Sequence, residues 1–357
     1  MLMPPSRSVS SRGTLPQDQR GRTITTADAP RTAAHPVAQP TGPQPLRSAV
    51  VFNPVRVTDI DERRIAVEAT LADAGWPAPT WIETTEADQG AGQARQAAQD
   101  GAQIVFACGG DGTVRSCIEG LIGTDTALAV LPAGTGNLLA ANLEIPDDPA
   151  AGVRLATEGG RRRIDIGDVD GQAFAVMAGI GFDAAMLDSA STKLKSLIGA
   201  PAYLLSALKH LQDRRMTVTI TLDDRPPVRR RARTVVVANV GRLQGGIALL
   251  ADAEPDNGQL DVAVLAPKTI GHWLALVWGV LRRHRDVAHM DVMRATRVTV
   301  TSDSTQPRQL DGDTIEPGRT LTVTVRPATL ELCVPQPDES RDLAEGSDHL
   351  DDEGAAG

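Results

Sequence analysis

Ile104-Val105-Phe106-Ala107-Cys108-Gly109-Gly110-Asp111-Gly112-Thr113 decides how this chain folds, because an apolar strand runs directly into three glycines within four positions. Beyond it, Val114, Cys117, Ile118 and Leu121 recur at the spacing of a helix with one buried face. Glycine lets backbone approach a ligand closely, and N–H groups exposed at a helix start donate to phosphate. The segment therefore reads as a phosphate cradle made by Gly109, Gly110, Gly112 and Thr113. An ordinary strand-to-helix turn with Asp111 as N-cap explains the same residues. Asp111 is unusual in a cradle, since a carboxylate repels phosphate unless a divalent cation lies between them.

Upstream, residues 48–52 form an apolar strand ending at Asn53-Pro54, and 59–71 and 92–99 have helical patterns on either side of a strand at 81–84. Downstream, a strand at 128–131 leads into Pro132-Ala133-Gly134-Thr135-Gly136-Asn137 and then into an apolar helix over 138–143. Strands alternating with helices at this spacing predict a parallel sheet with helices on both faces. Successive strands of such a sheet lie close together, so the loop of Gly134, Thr135, Gly136 and Asn137 converges with the first on one crevice. Two glycine loops flanking one polyphosphate are a more specific signal than either alone. Neither has the Gly-x-x-x-x-Gly-Lys pattern of a P-loop. Charge neutralisation then falls to a metal and to other basic residues, of which Arg56 is one candidate and a solvated side chain its alternative.

From about residue 164 the pattern changes to short Val/Thr-rich runs separated by Gly, Pro and Asp, at 164–167, 173–177, 216–222, 234–240, 260–265, 298–300 and 321–325. That is the pattern of antiparallel sheet, interrupted by helical segments at 200–211 and 270–281. The expected fold class is α/β with two domains. Residues 48–165 form an N-terminal α/β nucleotide-binding domain and 166–326 a C-terminal, mainly antiparallel β-sandwich-like domain. Residues 1–47 read as a disordered basic arm of net +4, and 336–357 as a disordered acidic tail of net −7.

The tail accounts for most of the formal charge of −9, which leaves room for basic patches at 161–163, 225–233 and 282–285. Aromatic content of 3% excludes a stacking platform for single-stranded nucleic acid, and no reading helix or zinc finger is present. Cys108, Cys117 and Cys333 have neither metal-ligand nor disulfide spacing and fit a reducing cytoplasm. No secretory signal is legible, and no run reaches the ~18–20 apolar residues of a membrane span. Residues 270–281 are apolar almost all round, with Trp273 and Trp278, and end at Arg282, Arg283 and Arg285. They suit either an interfacial helix on anionic membrane or a helix buried between sheet and domain.

Taken in order, Asn53-Pro54, residues 109–113, residues 132–137, Ala178-Gly179-Ile180-Gly181-Phe182-Asp183-Ala184, residues 239–246, Pro255-Asp256-Asn257-Gly258-Gln259-Leu260-Asp261 and Leu310-Asp311-Gly312-Asp313 resemble the bacterial diacylglycerol kinase family. The resemblance covers roughly residues 49–325 and implies a cleft between the two domains, with 327–335 returning to the first. It implies that Asn53, Gly109, Gly110, Asp111, Gly112, Thr113, Gly134, Thr135, Gly136 and Asn137 hold ATP. It also implies that Asp311 is the base for a lipid hydroxyl, with Asp111 and Asp313 beside it. The family has Asp-Gly-Glu where this chain has Asp311-Gly312-Asp313, one methylene shorter. Asp256 and Asp261 match the family's structural magnesium region, and a plain hydrogen-bonded turn explains them as well.

The expected activity is transfer of the ATP γ-phosphoryl group, with Mg2+, to a lipid alcohol, diacylglycerol giving phosphatidic acid. Sphingosine- or ceramide-type kinase, NAD kinase and a catalytically inactive nucleotide- or lipid-binding protein are the alternatives. The partners implied are ATP, the lipid alcohol and a transient contact with anionic membrane. Nucleic acid is not among them, the location is cytoplasmic or peripheral at the membrane's inner face, and a homo-oligomer is left open.

Overall fold

The computed structural model describes residues 46–133, 137–181, 215–241, 249–250, 253–267, 269, 272, 278 and 289–335. The expected arm except Leu46 and Arg47, the expected tail, Gly134, Thr135, Gly136, the helix at 200–211, most of the apolar helix at 270–281 and Arg282, Arg283 and Arg285 lie outside these residues.

Four parallel strands build the first half: β1 (Ser48–Phe52), β2 (Thr80–Glu83), β3 (Ile104–Gly109) and β4 (Ala127–Pro132), in spatial order β2-β1-β3-β4. Helices α1 (Ile60–Asp73), α2 (Ala91–Gln99), α3 (Asp111–Leu121), α4 (Leu138–Asn142) and α5 (Pro149–Glu158) connect or follow them. Strand side chains alternate between the two faces, and both are covered. Val50, Phe52, Ile104, Phe106, Ala129 and Leu131 pack with Val67 and Leu71 of α1 and Val153 and Ala156 of α5. Ala49, Val51, Val105, Ala107, Leu128 and Val130 face Ala94 and Ala97 of α2 and Val114, Cys117, Ile118 and Leu121 of α3. This double coverage is why β1, β3 and β4 are unbroken apolar runs. The strand order reverses between β1 and β3, the position at which open α/β sheets place a ligand crevice.

The second half is antiparallel: β5 (Gly160–Val169), β6 (Gln172–Phe174), β7 (Met177–Ile180), β8 (Met216–Leu222), β9 (Val228–Ala232), β10 (Thr234–Ala238), β11 (Leu260–Leu265), β12 (Met290–Ala295), β13 (Arg297–Leu310) and β14 (Asp313–Val334). Val218, Ile220, Val235, Val237, Val262, Val264, Val298, Val300, Leu321 and Val323 form its own core. The halves share one hydrogen-bonded sheet, because the end of β14 reaches β4, with Leu332 parallel to Leu128. Residue 165, where the patterning changes, sits inside β5, which pairs with β14 from Gly160 to Asp168.

Several expectations are extended rather than matched. The runs at 298–300 and 321–325 are fragments of strands of 14 and 22 residues. The run at 173–177 is broken at Ala175-Val176, between β6 and β7. That interruption has a chemical cause described below.

Candidate active site

A sheet of this order binds ligands beyond the carboxyl ends of its strands, and here β1, β3 and β4 each deliver one segment to that edge. After β1, Asn53 Oδ1 accepts hydrogen bonds from the Val55 and Arg56 amides at 3.0 and 3.2 Å, so this side chain shapes its own turn. Arg56 is exposed beside it. After β3 the turn is shorter than the five-residue loop expected. Gly109 ends the strand, Asp111 begins α3 and only Gly110 lies between, so Gly112 and Thr113 belong to the helix. Thr113 is buried, and a Cβ on Gly109 would lie 2.8 Å from the Thr113 Cβ, so this pair is a packing contact.

Gly110 has an extended backbone, φ −88° and ψ −172°, that any residue adopts. Its lack of a side chain therefore serves space, since a Cβ there would meet nothing within 4 Å among the described residues. Gly110→Ala is accordingly expected to change folding stability by less than about 0.5 kcal/mol. If that space holds phosphate, the same variant raises KM for ATP by about tenfold or more, the equivalent of ~1.4 kcal/mol. Denaturant titration and ATP saturation curves read the two effects separately.

The second loop's end is tied to the first. Asp111 Oδ1 accepts from the Leu138 amide at 2.7 Å, joining the start of α3 to the start of α4. Asn137 caps α4 by accepting from the Ala140 amide at 2.8 Å. Its Nδ2 is buried with no partner among the described residues. An unpaired buried donor costs about 1–3 kcal/mol, and a phosphate oxygen is a group that would satisfy it. Arg63 on α1, which the sequence did not single out, braces β4's end from below. Its Nη1 donates to the Pro132 carbonyl at 3.0 Å while Nε lies 2.9 Å from both Asp59 oxygens.

Opposite these loops stands the Asp311-Gly312 turn. Leu310 pairs with Asp313 across a two-residue hairpin between β13 and β14. Both central residues have positive φ, 48° for Asp311 and 95° for Gly312, as a type I′ turn requires and as the Asp-Gly dipeptide favours. Asp311 is buried, 6% exposed, and its carboxylate accepts three backbone N–H groups at 2.9 Å: Ala175 to Oδ2, Val176 and Met177 to Oδ1. Here is the cause of the break between β6 and β7, since these amides turn to the carboxylate and not to a neighbouring strand. A carboxylate offers about four acceptor positions, so Oδ2 retains one.

Asp313 is seated on α3. Arg115 Nη1 lies 3.0 Å from Asp313 Oδ2 and also donates to the Leu310 carbonyl at 3.2 Å. A Cβ on Gly112 would come within 3.8 Å of the same Asp313 oxygen. The three aspartates of the site are thus neighbours. Burial pushes the Asp111 carboxyl up to about 7, the Leu138 amide opposes this, and the charges of Asp311 and Asp313 reinforce it. Burial likewise raises Asp311, against its three amides and the nearby Arg115.

Asp256 and Asp261 are not brought to this cluster or together as a metal site. Arg162 grips both Asp256 oxygens at 2.7 Å, and Arg294 Nε donates to Asp261 Oδ1 at 2.8 Å. Among the described residues no group of three His, Cys, Asp or Glu side chains is arranged to hold a metal. The turn is organised instead by buried Asp165, which accepts from the Gly258 amide at 2.6 Å and the Ala328 amide at 2.8 Å. These contacts fit a hydrogen-bonded turn, in which a guanidinium group pairs with each of the two carboxylates. Gly134, Thr135 and Gly136 lie outside the described residues. No helix among the described residues is long and apolar enough to cross a membrane.

Comparison with known proteins places this geometry in context. Residues 47–169 match the diacylglycerol kinase catalytic domain, and 175–334 match the YegS C-terminal NAD kinase beta sandwich-like domain. The diacylglycerol kinase of Bacillus subtilis (strain 168) is 28% identical over 75% of this chain and 89% of its own length. A Pseudomonas fluorescens protein named "Probable lipid kinase YegS-like" is 30% identical over 77% of this chain and 91% of its own. The crystal structure of a diacylglycerol kinase from Bacillus anthracis str. Sterne superposes with a TM-score of 0.65, covering 81% of this chain and 96% of that one at 22% identity, a likeness of fold.

Proposed function

This chain belongs to the lipid kinase family of diacylglycerol kinases and YegS-like proteins and is a kinase; from that premise we propose that it transfers the γ-phosphoryl group of ATP to the hydroxyl of diacylglycerol, giving phosphatidic acid. The observation that carries the reading is the seating of the Asp311 turn on α3, the helix that begins at the glycine turn. A group able to take a hydroxyl proton thereby faces segments able to hold a polyphosphate. Among the described residues, open space at Gly110 and the absence of a partner for Asn137 Nδ2 support the nucleotide side.

In-line phosphoryl transfer asks a protein for positioning and charge compensation. The acceptor oxygen forms its bond to the γ-phosphorus as the bond to the β,γ-bridging oxygen breaks and ADP leaves with that electron pair. The hydroxyl proton passes to Asp311 Oδ2, the oxygen with one acceptor position left. Its burial makes Asp311 more basic than a solvated carboxylate, which suits proton acceptance late in transfer. Asn137 Nδ2 and the amides at the start of α3 donate to phosphate oxygens. Mg2+, when bound with the nucleotide, would supply the positive charge that allows the Asp111 carboxylate to stand near phosphate.

Contact with anionic membrane through 270–285 is part of the proposal, supported by Trp278, which is 58% exposed. The test presents diacylglycerol, monoacylglycerol, ceramide and sphingosine in anionic vesicles with labelled ATP, and NAD in a parallel reaction. Phosphatidic acid as the main product, with protein cosedimenting with the vesicles, is the expected result. Turnover of NAD alone, or nucleotide binding without a phosphorylated lipid, would overturn it.

A further inference from the structure

Helix α3 has a second role that neither glycine turn requires. Gly112 and Arg115 are three residues apart and so share one face of the helix. Both lie beside the same oxygen: a Cβ built on Gly112 would lie 3.8 Å from Asp313 Oδ2, and Arg115 Nη1 lies 3.0 Å from it. The same Nη1 donates to the carbonyl of Leu310, the residue preceding Asp311, at 3.2 Å. One nitrogen therefore holds both ends of the two-residue turn. The contact spans 195 positions of sequence and joins the parallel half of the molecule to the antiparallel half.

We propose that Arg115 is a positioning residue that seats the Asp311-Gly312 turn on the nucleotide-loop helix, so that the proton acceptor and the phosphate-holding segments move as one unit. The proposal rests on the kinase reading above. Stability does not account for the pair, because Asp313 is 52% exposed on its side chain and ion pairs of that kind contribute little. Geometry does, because Arg115 is only 18% exposed and fixed over the turn. Without it Asp311 keeps its three amide partners on the β6–β7 side, but among the described residues no other hydrogen bond or ion pair ties the turn to α3. The short Asp313 also acquires a role: its carboxylate is the handle through which the helix holds the turn.

The test has one readout that needs turnover and one that does not. In the kinetic arm, Arg115→Ala is expected to lower kcat about 10- to 100-fold, the scale of a misplaced reacting group, while KM for ATP stays within about twofold. Arg115→Lys recovers most of the loss, since a single nitrogen makes both contacts. Arg115→Ala combined with Asp313→Asn is no worse than the poorer single variant, as a shared interaction requires. Unchanged kcat, a rise in KM for ATP at constant kcat, or additive losses would each overturn the proposal. In the other arm, amide exchange at residues 310–313 in Arg115→Ala speeds up by about tenfold or more relative to wild type, while β11 amides keep their rates. Unchanged exchange at 310–313, or acceleration spread equally to β11, overturns it too. If the wild type phosphorylates no lipid, the kinase reading fails and the exchange arm still decides whether Arg115 seats the turn.

Discussion

Asp311→Asn is expected to lower kcat by about 10²- to 10⁴-fold, the range for losing a positioned acid–base group, and to destabilise the fold at the same time. The second effect follows from the hydrogen bonding. Oδ1 accepts from Val176 and Met177 and Oδ2 from Ala175, so an amide in either orientation sets an NH2 against at least one buried N–H. Leaving that donor unsatisfied costs about 1–3 kcal/mol. The variant must therefore be assayed below its unfolding transition, with its stability measured by denaturant titration. Retention of near-wild-type kcat would remove Asp311 from the proton-transfer role. Loss of rate with no loss of stability would mean that the three amides rearrange freely, against the break between β6 and β7 that they explain.

Asp111→Asn is expected to do the reverse to stability. The folded protein raises this carboxyl from 3.8 to about 7, so the native state holds a proton that the unfolded chain releases. The sign follows from linkage: this contribution is fully present below about pH 3.8 and is lost as pH rises through about 7. Asparagine keeps an oxygen for the Leu138 amide and carries no charge at any pH. Without nucleotide or divalent cation, Asp111→Asn should therefore be more stable than wild type by about 1–3 kcal/mol at pH 8, below the ~4 kcal/mol ceiling set by the full shift. The difference should vanish near pH 4. Parallel unfolding curves for the two proteins at both pH values are the check, and a gain independent of pH would show that charge is not its origin. Catalytic rate should fall, because the carboxylate that destabilises the empty site is the one suited to a metal-bound nucleotide. Functional sites commonly carry such a cost to stability.

Much of the first half was legible because its signals are local. The apolar runs at 48–52, 104–107 and 128–131 are β1, β3 and β4 or lie within them, and the helical periods before and between them are α1, α2 and α3. Each run needed only its own periodicity, and strands buried on both faces leave little room for another assignment. The glycine turn was placed correctly, but its form was not. Gly112 and Thr113 looked like loop residues because glycine and threonine are weak helix formers. They are helical because α3's apolar stripe, anchored against β3 and β4, carries the helix back to Asp111.

The antiparallel half was legible only in pieces. The exposed stretches of β13 and β14, at 303–305 and 313–320, lack the apolar alternation that marks a strand. They are strands because they pair with each other along the hairpin that turns at Asp311-Gly312. The turn at Asp256-Asn257-Gly258 was read as either a metal site or a hydrogen-bonded turn. Arg162, Arg294 and Asp165, which hold that turn, come from other parts of the chain.

What the sequence by itself determined is therefore a set of local elements: the parallel strands, the helices between them and the glycine turn after β3, all encoded within a few residues. Only the tertiary structure decided which groups meet. Asp311 takes its amides from 134 to 136 positions away, and Arg115 reaches the Asp311 turn across 195. Contacts at such separations are set by sheet order and register, not by propensity or spacing. For that reason the aspartates of the site could be named from the sequence, whereas Arg115, Arg63 and Asp165, the residues that hold the site's segments in place, could not.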